Sequence, residues 1–243
     1  MNIEKARFSK EINISVNEKV IYDKKIAKQT AGMIIGTGSY VVKYDRPKDE
    51  WIKMPDGKII PCYCNCRYIN RDPVSTKIIG NNFSAMIKDK YPDAELIVGL
   101  ETAGISWGSK IALDLELPFA YARGKAKGYG TGNLIECSPP RKLKTVVIDD
   151  AFFSGESVDK AVSAIKNELD GEVLGVGFIT NLNNLNHNVV YEQLSEKGID
   201  FCSLTDYSYI LSILQEEQKI NKSQVCELTQ FYDDPATFLW SPS

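Results

Sequence analysis

Lys144-Thr145-Val146-Val147-Ile148-Asp149-Asp150-Ala151-Phe152-Phe153-Ser154-Gly155-Glu156-Ser157 is the stretch on which the fold turns. Four strand-forming residues, Thr145 to Ile148, run into two adjacent carboxylates, Asp149 and Asp150. A turn of small and polar residues follows at Ser154, Gly155 and Ser157, and a helical pattern begins at Val158. A buried parallel strand that ends in acids and turns into a helix amino end suits a sugar phosphate. The turn and helix start offer free backbone N–H groups and the positive end of the helix dipole to a phosphate. The two acids can accept hydrogen bonds from neighbouring sugar hydroxyls. An acidic strand end before a helix is also a common N-cap in α/β proteins. This segment alone leaves both readings open.

Working outward, strands and helices alternate from Glu95 onward. The pattern predicts strands at Leu96–Leu100, Phe119–Ala122, Val146–Ile148, Val173–Thr180 and Phe201–Leu204. Helices are predicted at 105–116, Val158–Leu169, 188–197 and Tyr207–Gln218. Such alternation implies an α/β fold with a mostly parallel sheet covered on both faces. Residues 1–90 are less regular and read as an N-terminal extension. They hold a helix around Ile26–Met33, strands at Tyr40–Lys43 and Cys62–Cys66, and a helix over 73–90 that starts near Pro73. The tail 221–243 carries Phe231, Tyr232, Phe238 and Trp240, so it is expected to dock on the body or on a partner subunit. The expected division is 1–90, 91–220 and 221–243, integrated as one domain.

Composition narrows the function classes. The 243 residues carry a formal net charge of −3, with 43% hydrophobic and 25% charged residues. Nothing in this balance points to nucleic acid or a membrane. No apolar run approaches the length of a membrane helix, and Met1–Arg7 has no apolar signal core, so a cytoplasmic location is expected. The six cysteines read as reduced thiols. Cys62, Cys64 and Cys66 alternate, which on a strand places them on one face. The spacing departs from the usual zinc pattern, so strand thiols are favoured over a metal site. The only histidine, His187, lies in a polar Asn-rich stretch and reads as a loop or helix-start residue.

In parallel sheets ligands bind beyond the carboxyl ends of strands. Two more strand-end loops therefore matter. Glu101-Thr102-Ala103-Gly104 is another small-residue turn into a helix, suited to a second phosphate. Arg123-Gly124-Lys125-Ala126-Lys127-Gly128-Tyr129-Gly130-Thr131-Gly132 packs four glycines and three cations into ten residues. It is either a solvated surface loop or a mobile cationic lid. Three such loops on consecutive strand ends describe a ligand with phosphate at both ends and sugar hydroxyls between.

On these residues the chain resembles the type I phosphoribosyltransferases, and most nearly the orotate phosphoribosyltransferases. Asp149–Ser157 is similar to the family's motif for 5-phosphoribosyl 1-pyrophosphate (PRPP). Leu117–Arg123 and Lys125–Glu136 resemble its strand and catalytic loop, and Glu101–Gly104 its pyrophosphate loop. Asp56-Gly57-Lys58 through Asn65-Cys66-Arg67 resembles the hood, and Ser203–Asp206 the last strand. The resemblance spans residues 25–220.

The resemblance implies transfer of a phosphoribosyl group from PRPP to a nucleobase, in nucleotide biosynthesis or salvage, by a Mg²⁺-dependent homodimer. It implies that Ser154, Gly155, Glu156 and Ser157 hold the 5′-phosphate. Asp149 and Asp150 hold the ribose hydroxyls and face a Mg²⁺ carried mainly by PRPP. Thr102, Ala103 and Gly104 line the pyrophosphate, which Arg123 and Lys127 contact, with Lys127 delivered by a closing loop. Lys127, Asp149 and Asp150 are the expected catalytic set. The departures lie on the base side. Ala151, Phe152 and Phe153 stand where small aliphatic and hydroxyl residues are usual, so Phe153 is expected to reshape the base pocket. Asn181-Leu182-Asn183 stands where an arginine pairs with the orotate carboxylate, and Pro55, Gly124 and Tyr129 replace two cations and a histidine. Lys127 and the glycine-rich loop favour an active enzyme. The altered base side favours a non-catalytic PRPP-binding regulator, and another phosphosugar or nucleotide enzyme is the third reading.

Overall fold

The computed structural model describes residues 19–53, 57, 59–125, 133–137, 139–185, 188–235 and 238. In chain order the first elements are α1 (Lys24–Gly36), β1 (Tyr40–Val42), β2 (Ile52–Lys53), β3 (Ile59–Ile60), β4 (Cys62–Cys64) and α2 (Pro73–Lys90). Then come β5 (Leu96–Leu100), α3 (Ala103–Leu115), β6 (Phe119–Ala122), β7 (Ile135–Glu136) and β8 (Lys144–Phe152). The chain continues with α4 (Glu156–Leu169), β9 (Glu172–Asn181), α5 (Val189–Glu196), β10 (Asp200–Asp206), α6 (Tyr207–Glu216) and α7 (Lys222–Asp233).

One six-stranded sheet runs β10-β9-β8-β5-β6-β7. All neighbours are parallel except β7, which is antiparallel to β6. From β5 the chain steps out to β6, then crosses back to β8 on the other side of β5. The strand order therefore reverses between β5 and β8, the switch point at which such sheets open a crevice. β5 is Leu-Ile-Val-Gly-Leu and is buried along its whole length, as a central strand covered on both faces must be. One core layer joins Ile79, Phe83, Ile87, Trp107 and Ile148 beneath α2 and α3. The other joins Val98, Val147, Val158, Ile165, Phe178 and Phe201 beneath α4 and α5.

Three expectations need correction. The strand expected to end at Ile148 continues to Phe152, because β9 is long enough to pair Asp149, Ala151 and Phe152 with Phe178, Thr180 and Asn181. The two acids therefore sit on the strand, not after it. The helix expected from Val158 starts at Glu156. Glu156 and Ser157 are exposed, so apolar periodicity registers only from the first buried residue. The strand expected over Cys62–Cys66 ends at Cys64, where its three-residue partner β1 runs out. Cys66 opens a 3-10 helix, Cys66–Arg71, so the three thiols do not share one strand face. All six cysteines are free.

The tail docks on the body. α7 starts with a capping box between Asn221 and Gln224 and buries Val225, Leu228, Phe231 and Tyr232. The Tyr232 hydroxyl meets that of Tyr40 at 2.6 Å, and burial pushes both phenols up. Trp240 lies outside the described residues. Among the described residues no helix is long and apolar enough to cross a membrane.

Candidate functional site

The site begins where α3 meets β8. Thr102 is the N-cap of α3 and gives no side-chain cap bond. A Cβ at Gly104 would lie 2.3 Å from the Ile148 carbonyl oxygen and 3.2 Å from Asp149 Cα. Only glycine lets the first turn of α3 press against β8 so closely. The peptide bond between Glu101 and Thr102 is cis. Asp149 Oδ1 accepts the Asp150 backbone N–H at 2.9 Å. Burial pushes the Asp149 carboxyl well above the usual carboxylate range, and the Asp150 charge adds to it, while backbone N–H groups of Asp150 and Gly104 oppose the shift. Burial also raises Asp150, against the pull of Asp149 hydrogen bonding and the Arg67 charge.

The loop after β8 carries Phe153, Ser154 and Gly155 into α4. Gly155 is the N-cap, with φ of 84°, a left-handed conformation that favours glycine. Ser154, Glu156 and Ser157 are exposed at this helix start. Five of the seven helices named above have a side chain that caps the amino end: Asp23, Asp72, Asn188, Asp206 and Asn221. The two without are α3 and α4, and both start at the switch point. At α3 the Gly104 N–H turns to the Asp149 carboxylate instead, and at α4 no N-cap side chain takes the first N–H groups.

The loop after β6 is described as far as Lys125. The Gly124 N–H donates to Glu101 Oε2 at 2.9 Å, tying this loop to the one after β5. The Arg123 guanidinium lies 3.6 Å from Glu136 Oε1 on β7, and its Nε donates to the Lys125 carbonyl at 3.3 Å. Lys127 and Tyr129 lie outside the described residues, as does His187.

The two phenylalanines separate. Phe152 is 2% exposed, its ring 5.2 Å from that of Phe178 and 5.5 Å from that of Phe201. It is a core residue. Phe153 stays half-buried, its ring 6.0 Å from Phe231 on α7. At the end of β9, Asn181 and Asn183 bond to each other: Asn181 Nδ2 donates to the Asn183 carbonyl at 2.9 Å, and the Asn183 N–H to Asn181 Oδ1 at 3.1 Å.

Thr102, Ala103, Gly104, Asp149, Asp150 and the Ser154–Ser157 turn thus lie toward the carboxyl ends of the adjacent parallel strands β5 and β8, with Arg123 two strands from β8. Arg67 lies in the hood-like segment, and its role is not legible in the sequence. The 3-10 helix Cys66–Arg71 brings its charge to Asp150, with its Nε donating to Asn65 Oδ1 at 2.8 Å. Nothing local in the sequence pairs Arg67 with an acid so far along the chain.

No family model matches the chain. The orotate phosphoribosyltransferase of Streptococcus pneumoniae serotype 4 is 33% identical over 211 residues, 86% of this chain and 96% of that protein. This chain belongs to the orotate phosphoribosyltransferase family. Solved structures carry the fold of the family across greater distance. The Aeropyrum pernix orotate phosphoribosyltransferase is similar with a TM-score of 0.64 at 20% identity, covering 79% of this chain and 99% of that one. The Mycobacterium tuberculosis H37Rv orotate phosphoribosyltransferase in complex with PRPP gives 0.56 at 18%, covering 76% and 98%.

Proposed function

We propose that this chain transfers the phosphoribosyl group of PRPP to a nucleobase and releases pyrophosphate, in nucleotide biosynthesis. Orotate is the base named by its relatives. The observation that carries the proposal is the meeting of two uncapped helix starts and two half-buried acids at the switch point. In the proposed arrangement the turn Ser154–Ser157 holds the 5′-phosphate through backbone N–H groups at the start of α4. Asp149 and Asp150 accept the ribose hydroxyls. Thr102, Ala103 and Gly104 bring the positive end of α3 to the pyrophosphate, with the Gly104 N–H on Asp149. Phe153 borders the base.

The acid pair fits a divalent cation. Burial raises both carboxyls, the Asp150 charge adds to the shift of Asp149, and a positive charge beside them relieves that cost. Among the described residues no group of three or more His, Cys, Asp or Glu side chains gathers into a metal cage. In the proposed arrangement Mg²⁺ arrives with PRPP, and Asp149 and Asp150 face it. When bound it neutralises charge on the pyrophosphate. Arg123 and Lys127 serve the same leaving group, Arg123 by exchanging Glu136 for pyrophosphate and Lys127 by arriving with the loop. Displacement at the anomeric carbon needs no protein nucleophile, so positioning and charge stabilisation supply the catalysis. The assembly proposed is a homodimer, with residues 1–90 as extension and hood over the 91–220 core and 221–243 as the tail.

Mixing the protein with PRPP, Mg²⁺ and a panel of bases including orotate, and following pyrophosphate release, tests this. Turnover with at least one base is expected. PRPP binding without release for any base contradicts the transfer activity.

A further inference from the structure

The turn proposed to hold the 5′-phosphate does not support itself. Behind it stands the first turn of α5. Asn188, the N-cap of α5, is 7% exposed. Its Oδ1 accepts the Tyr191 N–H at 2.9 Å, which is the capping bond. Its Nδ2 reaches the other way, to the carbonyls of Phe153 at 3.3 Å and Ser154 at 3.4 Å. Val190, one residue into the helix, fills the space behind Gly155: a Cβ there would lie 2.8 Å from Val190 Cγ1. The helix is itself anchored, with Leu194 fully buried and the Tyr191 ring 5.0 Å from Phe201.

Peptide planarity gives this contact a directional consequence. In a trans peptide the carbonyl and the next N–H point opposite ways. Drawing the Phe153 and Ser154 carbonyls toward α5 aims the Ser154 and Gly155 N–H groups away from it, out of the turn. The residue type fits the double task. Ser, Thr, Asp and Asn all cap helices well, but only Asn combines a side-chain acceptor with an N–H₂ donor. An aspartate would cap α5 and leave both carbonyls unheld.

We propose that Asn188 is a positioning residue for the 5′-phosphate turn, fixing the outward direction of its N–H groups from behind. This rests on the phosphoribosyl reading of the site. Asn188→Ser keeps an acceptor for the cap and loses the reach to both carbonyls. Asn188→Asp keeps the cap and has no donor. The probes are ribose 5-phosphate and inorganic pyrophosphate, titrated calorimetrically with Mg²⁺ into the full chain, alongside initial rates with PRPP.

For Asn188→Ser, ribose 5-phosphate affinity is expected to fall about five- to tenfold, the scale of one or two modest hydrogen bonds. Pyrophosphate affinity should stay within about twofold. KM for PRPP should rise with the first factor while kcat at saturation is kept, and the melting temperature should stay near that of the parent. Asn188→Asp should show at least the same selective loss. Unchanged ribose 5-phosphate affinity in both variants overturns the proposal. So does an equal loss of both ligands, which marks a general structural role. If the parent chain itself binds neither PRPP nor ribose 5-phosphate, the phosphoribosyl reading falls, and this proposal with it.

Discussion

The loop after β8 and the loop after β6 leave the same carboxyl end of one sheet, on either side of β5, yet they are held in opposite ways. The β8 loop rests on buried groups. Phe152 is locked among Phe178 and Phe201, Gly155 lies against Val190, and Asn188 grips two carbonyls. The β6 loop rests on charge near the surface: Gly124 on the Glu101 carboxylate, and Arg123 on Glu136 with side chains 30% and 23% exposed. Partly solvated pairs of this kind contribute about 0–1 kcal/mol. The comparison teaches how a site for one ligand divides its work. In the proposed arrangement a group that stays unchanged through the reaction, the 5′-phosphate, meets a turn fixed before the ligand arrives. The leaving group is there assigned to a loop whose described part is held by partly solvated contacts.

The largest expected effect tests the β6 side. Lys127→Ala should lower the rate of pyrophosphate release by about 10²–10³, the usual loss for one electrostatic stabiliser of a transition state. PRPP affinity, read by calorimetry, should change little. Unchanged turnover would remove Lys127 from the chemistry and with it the contrast between the loops.

A pair of glycine substitutions sharpens the same contrast in stability. Gly155→Ala forces a side chain into φ of 84° and against Val190. It should cost about 1–3 kcal/mol from the backbone alone, with overpacking of similar order added. Gly124→Ala meets nothing within 4 Å and should stay within about 0.5 kcal/mol of the parent. Urea midpoints of the two variants decide it. Equal midpoints would mean that the β8 turn is no more rigidly built than the β6 loop.

The parts of this site that could be read from sequence are those whose signal is local. Leu96–Leu100 is a continuous apolar run because a central parallel strand is buried on both faces. The small-residue turns at 101–104 and 154–157 announce helix starts because tight turns and free N–H groups need small residues. What was not legible depends on elements meeting across the chain. The extent of β8 beyond Ile148 is set by the length of β9. Phe152 enters the core and Phe153 does not because β8 runs, paired with β9, as far as Phe152 and no further, and no periodicity of two neighbouring aromatics distinguishes them. Arg67 reaches Asp150 only because β4 stops at Cys64 and a 3-10 helix turns the chain over β8. Asn188 is one asparagine among several in residues 181–188, and its second bond exists only once α5 is seated behind the turn.

Asp149 lies between the two loops and gives the smallest and most conditional effect. Its carboxyl is held above the ordinary carboxylate range by burial first and by the Asp150 charge second. The folded chain therefore binds a proton at pH values where the unfolded chain has released it. Stability from this group is fully present below the unfolded value, about pH 4, and is lost as pH rises through the folded value. An asparagine side chain in place of the acid keeps an oxygen for the Asp150 N–H and never carries an ionised buried charge. Asp149→Asn should thus stabilise the ligand-free protein near neutral pH by about 0.5–2 kcal/mol, while weakening PRPP binding through the loss of the carboxylate. The gain should shrink as pH is lowered toward about 4, where the parent carboxyl is protonated too. Urea midpoints of the parent and Asp149→Asn across that range measure the slope. A difference independent of pH would mean that shape, not charge, separates the two side chains, and that the acid at the switch point is not held ready for a cationic ligand.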